Sequence, residues 1–425
     1  MPKELRTLMY FSTIICQDAC FRMKILLIHN FYQQPGGEDT AFRREMGLLR
    51  QNGHDVLTYE RRNSETQDFS VLQKATLPIT TIWSSHTFRE LKRILRQEKP
   101  DLAHFHNTHF MVSPSAYYAC REEDIPVIQS LDNPRLLCPA ASFFRDGHPC
   151  EDCLGKTPPW PGVLHACYRG SRMQTAVVAA MLTTHRLLKT WQGLIDFYLV
   201  ATNTYRLKFI EGGLPAGKLK VKPHFVYPDP GSRKNGVGEY ALFIGRLDAE
   251  KGVPTLLKAW EKIKHIPLRI RGSGKLIEKV KTAILMNPQI QLVSRLPESE
   301  LTELIKGARF LVWPSEGYYE TFGFVAAEAF ACGIPVIASN VGVMQEMVRD
   351  RDTGLLFVQS SAEDLASKAN WAWDHPNEMA EMGRNARRDY EAKYTAEKTY
   401  PKLIEVYQAA IEKRISRQMK SCYQH

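Results

Sequence analysis

Strand-length apolar runs alternate with helical stretches twice along this chain, and the second series begins afresh after a break rich in Pro, Asp, Gly, Ser and Lys. In the first series, apolar runs fall at 24–29, 55–59, 102–106, 127–131 and 197–201, with a helix expected over 40–52. The pattern lapses between Pro223 and Gly238. It then restarts with runs at 240–245, 268–271, 290–293, 310–312 and 335–338, with a helix over 253–263. Alternation of this kind belongs to parallel sheets covered by helices on both faces. The predicted fold class is therefore α/β, with two Rossmann-like doubly wound sheets facing a cleft. Ligands in such sheets bind beyond the carboxyl ends of the strands. The predicted boundaries are an N-terminal extension at 1–22, a first Rossmann-like domain at 23–225 with a Cys-rich insert at 138–167, and a linker at 226–238. A second Rossmann-like domain is expected at 239–395, followed by a C-terminal helix and tail at 396–425 that cross back to the first domain.

A length of 425 residues suits two domains, and 44% hydrophobic with 24% charged residues is a globular composition. The net charge of +10 suits anionic small substrates or an anionic membrane surface. Nucleic acid is not an expected partner, because no basic run interleaved with aromatics occurs. The longest apolar stretch, 176–200, is broken by His185, Arg186, Lys189, Gln192 and Asp196. It reads as a buried amphipathic helix, with a membrane-surface helix as the alternative. Residues 8–16 imitate a signal peptide only faintly, so an upstream extension or an early start codon is favoured over export. Nine cysteines, an odd number, fit a reducing cytoplasm. The expected location is cytoplasmic, with peripheral contact to the inner face of the plasma membrane.

The segment from Glu320 to Glu328 sets two carboxylates around an apolar run containing Gly323. It reads as a loop and then a buried helix closed by Gly333 and Pro335. Unpaired N–H groups at a helix start seat phosphate well. Glu328 lies about 7–8 Å further along the axis, roughly the separation of a phosphate from its ribose.

Several motifs then coincide: 243–248 (Phe-Ile-Gly-Arg-Leu-Asp), Glu250-Lys251-Gly252, Gly272-Ser273-Gly274, and 315–323 leading into Glu328. Together they resemble family 4 (group 1) retaining glycosyltransferases, enzymes of the GT-B fold, and most closely the bacterial polysaccharide-biosynthesis type. The resemblance implies that Arg246 and Lys251 hold the diphosphate and Glu320 the donor-sugar hydroxyls. Glu328 would hold the ribose, and the N–H groups of Phe322, Gly323, Phe324 and Val325 the phosphates. Gly36 and Gly37 would approach the donor from across the cleft, and Gly272 and Gly274 would line its site. The implied partners are a UDP- or GDP-linked sugar and a lipid-linked saccharide acceptor. No catalytic cofactor or metal is implied, since Arg and Lys can balance the leaving group. One departure matters. Where the family often has His after the fourth strand, this chain has Asp132, which either stabilises an oxocarbenium ion or weakens activity. A catalytically weakened nucleotide-sugar- or glycan-binding protein is therefore the alternative function.

Two further groups stand out. His104 and His106 point to one side of a strand and are candidates for the acceptor side, with ordinary buried histidines as the competing reading. Cys138, Cys150, Cys153 and Cys167 include a Cys-x2-Cys pair suited to a structural zinc, with His148 and His165 as alternative ligands. Reduced, partly buried thiols and a redox pair remain the alternatives.

Overall fold

The computed structural model describes residues 22–33, 36–233, 236–317 and 320–422. Residues 1–21, nearly all of the expected extension, lie outside the described residues. Two six-stranded parallel sheets form the protein. The first contains β1 (Lys24–Phe31), β2 (Asp55–Arg62), β3 (Leu102–Asn107), β4 (Val127–Ser130), β5 (Phe197–Val200) and β6 (Leu219–Val221). Its order is β2-β1-β3-β4-β5-β6. The second contains β7 (Tyr240–Ile244), β8 (Leu268–Arg271), β9 (Ile290–Val293), β10 (Ala308–Trp313), β11 (Val336–Ser339) and β12 (Gly354–Phe357), in the order β9-β8-β7-β10-β11-β12. This is the GT-B arrangement of two Rossmann-like domains.

The period-two geometry of strands explains why both sheets need continuous apolar runs. Along β1, Leu26 and Ile28 enter one core while Ile25 and Leu27 enter another on the opposite face. Along β7, Leu242 and Ala241 divide in the same way. Each such Leu or Ile stabilises the fold by about 1.5–3 kcal/mol.

Two strands differ from expectation. β6 and β12 are three- and four-residue edge strands, and β12 follows the polar turn at Asp350–Thr353. Leu219–Val221 is too short to show a period, and Gly354–Phe357 begins inside the polar turn before it, which hides its apolar run.

Helix α1 (Gly37–Gln51) follows the first strand, and α2 (Phe324–Ala331) follows β10. Helix α3 (Ala396–Cys422) returns to the first sheet, where Leu403, Val406, Tyr407 and Ala410 pack on Leu27 and Ile128. The chain thus passes between the domains twice. The two passages touch: Val226 N–H donates to Tyr394 O at 3.0 Å, and Phe225 packs on Ala396.

Candidate active site

The carboxyl ends of β7 and β10 deliver the first half of the site. Gly323 caps α2 at φ 96°, and a Cβ there would stand 2.2 Å from Trp313 Cη2. Only glycine satisfies both demands. Ala326 and Ala327 N–H donate to Gly323 O at 3.0 and 3.1 Å. The N–H groups just ahead of them have no acceptor within the helix, so the helix start presents donors.

Glu320 precedes this start. Its Oε1 accepts from Lys251 Nζ at 2.5 Å and Ser315 Oγ at 2.7 Å, with Trp313 Nε1 3.5 Å away. Burial raises the Glu320 pKa most strongly, but Lys251 with the hydrogen bonds from Ser315 and Trp313 together outweigh it, and the net shift is downward. Arg246 extends from the turn after β7 and is largely exposed, with Glu250 at 2.7 Å and Asp248 at 3.5 Å. Gly272 and Gly274 support that turn: a Cβ on Gly272 would overlap Gly245 O at 1.9 Å, and one on Gly274 would meet Leu247 backbone at 2.7 Å. Packing on the Arg246 turn, rather than approach of a donor, explains these two glycines.

Glu328 is engaged from the other domain. Arg44 Nη2 of α1 donates to Glu328 Oε1 at 2.9 Å, and its guanidinium lies 5.5 Å over the Phe324 ring. Burial raises the Glu328 pKa, and Arg44 only partly opposes it. Gly37 meets the same helix start, since a Cβ there would stand 3.3 Å from Phe324 Cδ2. At Gly36, which caps α1, a Cβ would meet nothing within 4 Å. The glycine turn therefore faces the start of α2, with Phe324 as the contact.

Asp132 stands opposite, and it is not alone. His224 Nε2 lies 3.0 Å from Asp132 Oδ1, and His106 Nδ1 lies 3.7 Å from Oδ2. The His224 ring stacks on Phe324 with centroids 4.9 Å apart, so an imidazole from the interdomain passage reaches the helix start. Burial raises the Asp132 pKa, but the two imidazoles outweigh it and hold the group ionised. Behind Asp132 the charges alternate. Glu45 lies 3.3 Å from His106 Nε2 and 2.9 Å from His104 Nδ1, and it pairs with the Lys222 ammonium. Burial alone would lower the His106 pKa; Asp132 and Glu45 instead raise it to about 9.

His104 corrects one expectation. It is fully buried, between Ser130 Oγ at 2.9 Å and Tyr407 OH at 2.7 Å, so it braces α3 instead of lining the cleft. Burial lowers its pKa to about 4. His106 is 3% exposed and reaches the cleft only through Asp132.

Glu38, in the first turn of α1, accepts from Asn133 Nδ2 at 2.8 Å while its second oxygen is buried without a partner. Burial and the Asp132 charge push its pKa up to about 8. At neutral pH this carboxyl keeps its proton, and it faces the same loop as Asp132.

Sequence reading missed Arg44, Glu45, His224, Lys222 and Glu38. Only Glu45 left a signal: it falls on the stripe of Ala41, Phe42, Leu48 and Leu49, where a solvated carboxylate does not belong. The four insert cysteines, all free, line one small cavity away from these groups.

Residues 229–389 match the family described as Glycosyl transferases group 1. An uncharacterized glycosyltransferase of Methanocaldococcus jannaschii, MJ1178, is 32% identical over 40% of this chain; the match spans 48% of its length. A second from that organism, MJ1607, is 25% identical over 86% of this chain and 92% of its own. Among solved structures, Alr3699/HepE from Anabaena, in complex with UDP and glucose, superposes with a TM-score of 0.62. That alignment covers 94% of this chain and all of HepE at 15% identity, a likeness of fold. The family match thus lies in the second domain of a GT-B fold, at residues 229–389.

Proposed function

We propose that the protein is a retaining glycosyltransferase that moves a sugar from a nucleotide-sugar to a lipid-linked saccharide in cell-surface polysaccharide synthesis. The observation that carries this reading is the placement of Lys251, Glu320, Glu328 and the start of α2 around one end of the second sheet. A nucleoside diphosphate matches that set. Its phosphates take the helix N–H groups with Lys251 and Arg246, its ribose takes Glu328, and the sugar takes Glu320. Both cations now pair with neighbouring carboxylates, so the diphosphate would exchange one anion for another at low cost. As the glycosidic bond breaks, charge builds on the diphosphate, where Arg246 and Lys251 stabilise it without a metal. The leaving phosphate then accepts the acceptor's proton on the face it departs from, which retains configuration. Asp132, ionised beside His224, sits where positive charge at the reacting carbon gains from an anion. HepE holds UDP and glucose on a similar fold, which supports a nucleoside-diphosphate sugar as donor.

A lipid-linked acceptor fits the surface of the first domain. The helices Val71–Ile82, Trp160–Leu164 and Arg172–Leu187 pack together and expose Val71, Leu72, Ile79, Trp160, Leu164 and Met173. An open apolar groove between the latter two helices carries Arg172 at its edge, and the Lys156 ammonium lies 5.2 Å over the Trp160 ring. Apolar side chains flanked by cations suit the face of an anionic bilayer. Among the described residues no helix is long and apolar enough to cross a membrane.

The test supplies UDP- and GDP-sugars with membrane-extracted lipid-linked saccharides, with and without EDTA, and follows product by mass spectrometry and anomeric NMR. EDTA-resistant transfer with retained configuration is expected. Tight nucleotide binding with no transfer or donor hydrolysis across the panel would overturn the catalytic reading in favour of a binding protein.

A further inference from the structure

We infer that Cys138, Cys150, Cys153 and Cys167 bind one zinc ion, which fastens the cleft loop at Asp132 to the apolar face of the first domain. The quartet comes from a stretch of chain with little regular structure. Between Leu137 and Ser171 it contains a two-residue hairpin, Phe144–Arg145 against His148–Pro149, and the five-residue helix Trp160–Leu164. Ala141, Phe143, Asp146, Ala166 and Arg169, none of them glycine, all take positive φ there. A segment so poor in backbone ladders, with this much left-handed backbone, needs a cross-link to hold one conformation.

The four thiols supply one. All of them line a single small cavity together with Phe143, Arg145 and Gly162. Cys150 and Cys153 occupy a tight turn in which Leu154 N–H donates to Glu151 O at 2.8 Å, the spacing that lets two sulfurs grip one ion. Gly162 N–H donates to Cys153 Sγ at 3.2 Å, which fixes the direction of that side chain. A zinc held by four thiolates carries two negative charges, and two guanidiniums stand by to offset them. Arg145 is in electrostatic reach of Cys150 and Cys167, and Arg186 of Cys153. His148 is exposed and turned toward its neighbour's carbonyl, so the thiols are the better ligands.

Coordination draws the sulfurs closer than they now stand. Among the described residues, the one set of three or more His, Cys, Asp or Glu ligand atoms within 4.8 Å of each other is Glu45, His104 and His106. There the Lys222 ammonium already balances Glu45, which leaves no call for a metal. In the insert, the cysteine side chains would have to rotate to close a tetrahedron, and Zn2+ would then displace the four thiol protons to solvent. The ion would then tie Cys138, five residues beyond Asn133, to the turn that presents Trp160 and Leu164 outward.

The test is metal analysis of the full-length protein purified without chelators. One zinc per chain is expected, along with release of that zinc when the thiols are titrated with a mercurial. Chelator-stripped protein should take up Co2+ with thiolate-to-cobalt charge-transfer absorption and the visible bands of a tetrahedral site. Cys150→Ser should lower zinc content, while Cys120→Ala, a buried thiol in the same domain, should leave it at one. Less than a tenth of a zinc per chain, with no tetrahedral cobalt spectrum, would overturn the proposal. So would a Cys150–Cys153 disulfide in the freshly isolated protein. The wild-type measurements stand even where Cys150→Ser fails to fold.

Discussion

Glu328 is held by Arg44 across the cleft, so its assignment to the ribose makes a prediction with two opposing parts. A ribose hydroxyl donating to a buried carboxylate contributes about 1.5–3 kcal/mol. Binding must first break the Arg44–Glu328 pair, whose side chains are 14% and 22% exposed. A pair so partly screened is worth about 1 kcal/mol or less. Glu328→Gln removes both contributions, for a net loss of about 0.5–3 kcal/mol, or roughly two- to 140-fold in nucleotide Kd. Arg44→Met removes only the competitor, so nucleotide should bind up to about fivefold more tightly. Calorimetric titration of UDP and GDP into wild type, both single variants and the double variant gives the coupling directly. The reasoning fails if Arg44→Met weakens nucleotide as much as Glu328→Gln does, for Arg44 would then be a phosphate ligand. It fails equally if Glu328→Gln leaves Kd unchanged.

The other predictions concern the remaining groups of the cleft. Glu320→Gln, which keeps a neutral acceptor for Lys251 and Ser315, should cut turnover at least a hundredfold while shifting nucleotide Kd less than about threefold; a loss confined to Kd would reverse the two glutamates' roles. Glu38 has a folded pKa of about 8, against 4.5 ordinarily, so the unfolded chain gives up its proton first. Stability then falls as pH rises through that window, and Glu38→Gln should gain in Tm over wild type progressively up to about pH 8; parallel Tm curves would contradict this. His106 is raised in the folded state, so its contribution is full below pH 6.5 and is lost as pH rises through about 9. Asp132→Asn removes one of the carboxylates responsible and should flatten the decline of Tm between those values, measured by scanning fluorimetry; an unaltered slope would show that Asp132 does not hold the His106 proton.

The inner strands were legible because parallel strands buried on both faces must be apolar without interruption, and β1, β7 and β11 fall where their apolar runs lie. Edge strand β6 offers only Leu219 and Val221 around Lys220, and β12 begins inside the polar turn that precedes it. In the site, Glu320 and the α2 start are close in sequence to the glycine and strand end that place them, so spacing suggested a ligand there, whereas Lys251 was reached only through the family resemblance. Arg44 and Glu328 are 284 residues apart, and His224 and Asp132 follow β6 and β4, so they meet only once the first sheet is assembled. No local period encodes such pairs. Asp132 read in isolation looked like a lost imidazole; in the structure the His224 imidazole lies 3.0 Å from it.

The double passage between the domains limits how they can move. A single linker would allow bending about any axis and twisting as well. Here the second passage runs beside the first, joined to it by the Val226–Tyr394 hydrogen bond. Two tethers side by side leave one soft rotation, about an axis along which both lie. Arg44 and Gly37 both meet the start of α2 across the domain face, so a rotation that parts Arg44 from Glu328 by opening that face would also lift Gly37 from Phe324. On the function proposed for the site, release of the carboxylate for the ribose and opening of the route to the phosphate seat would then be one motion.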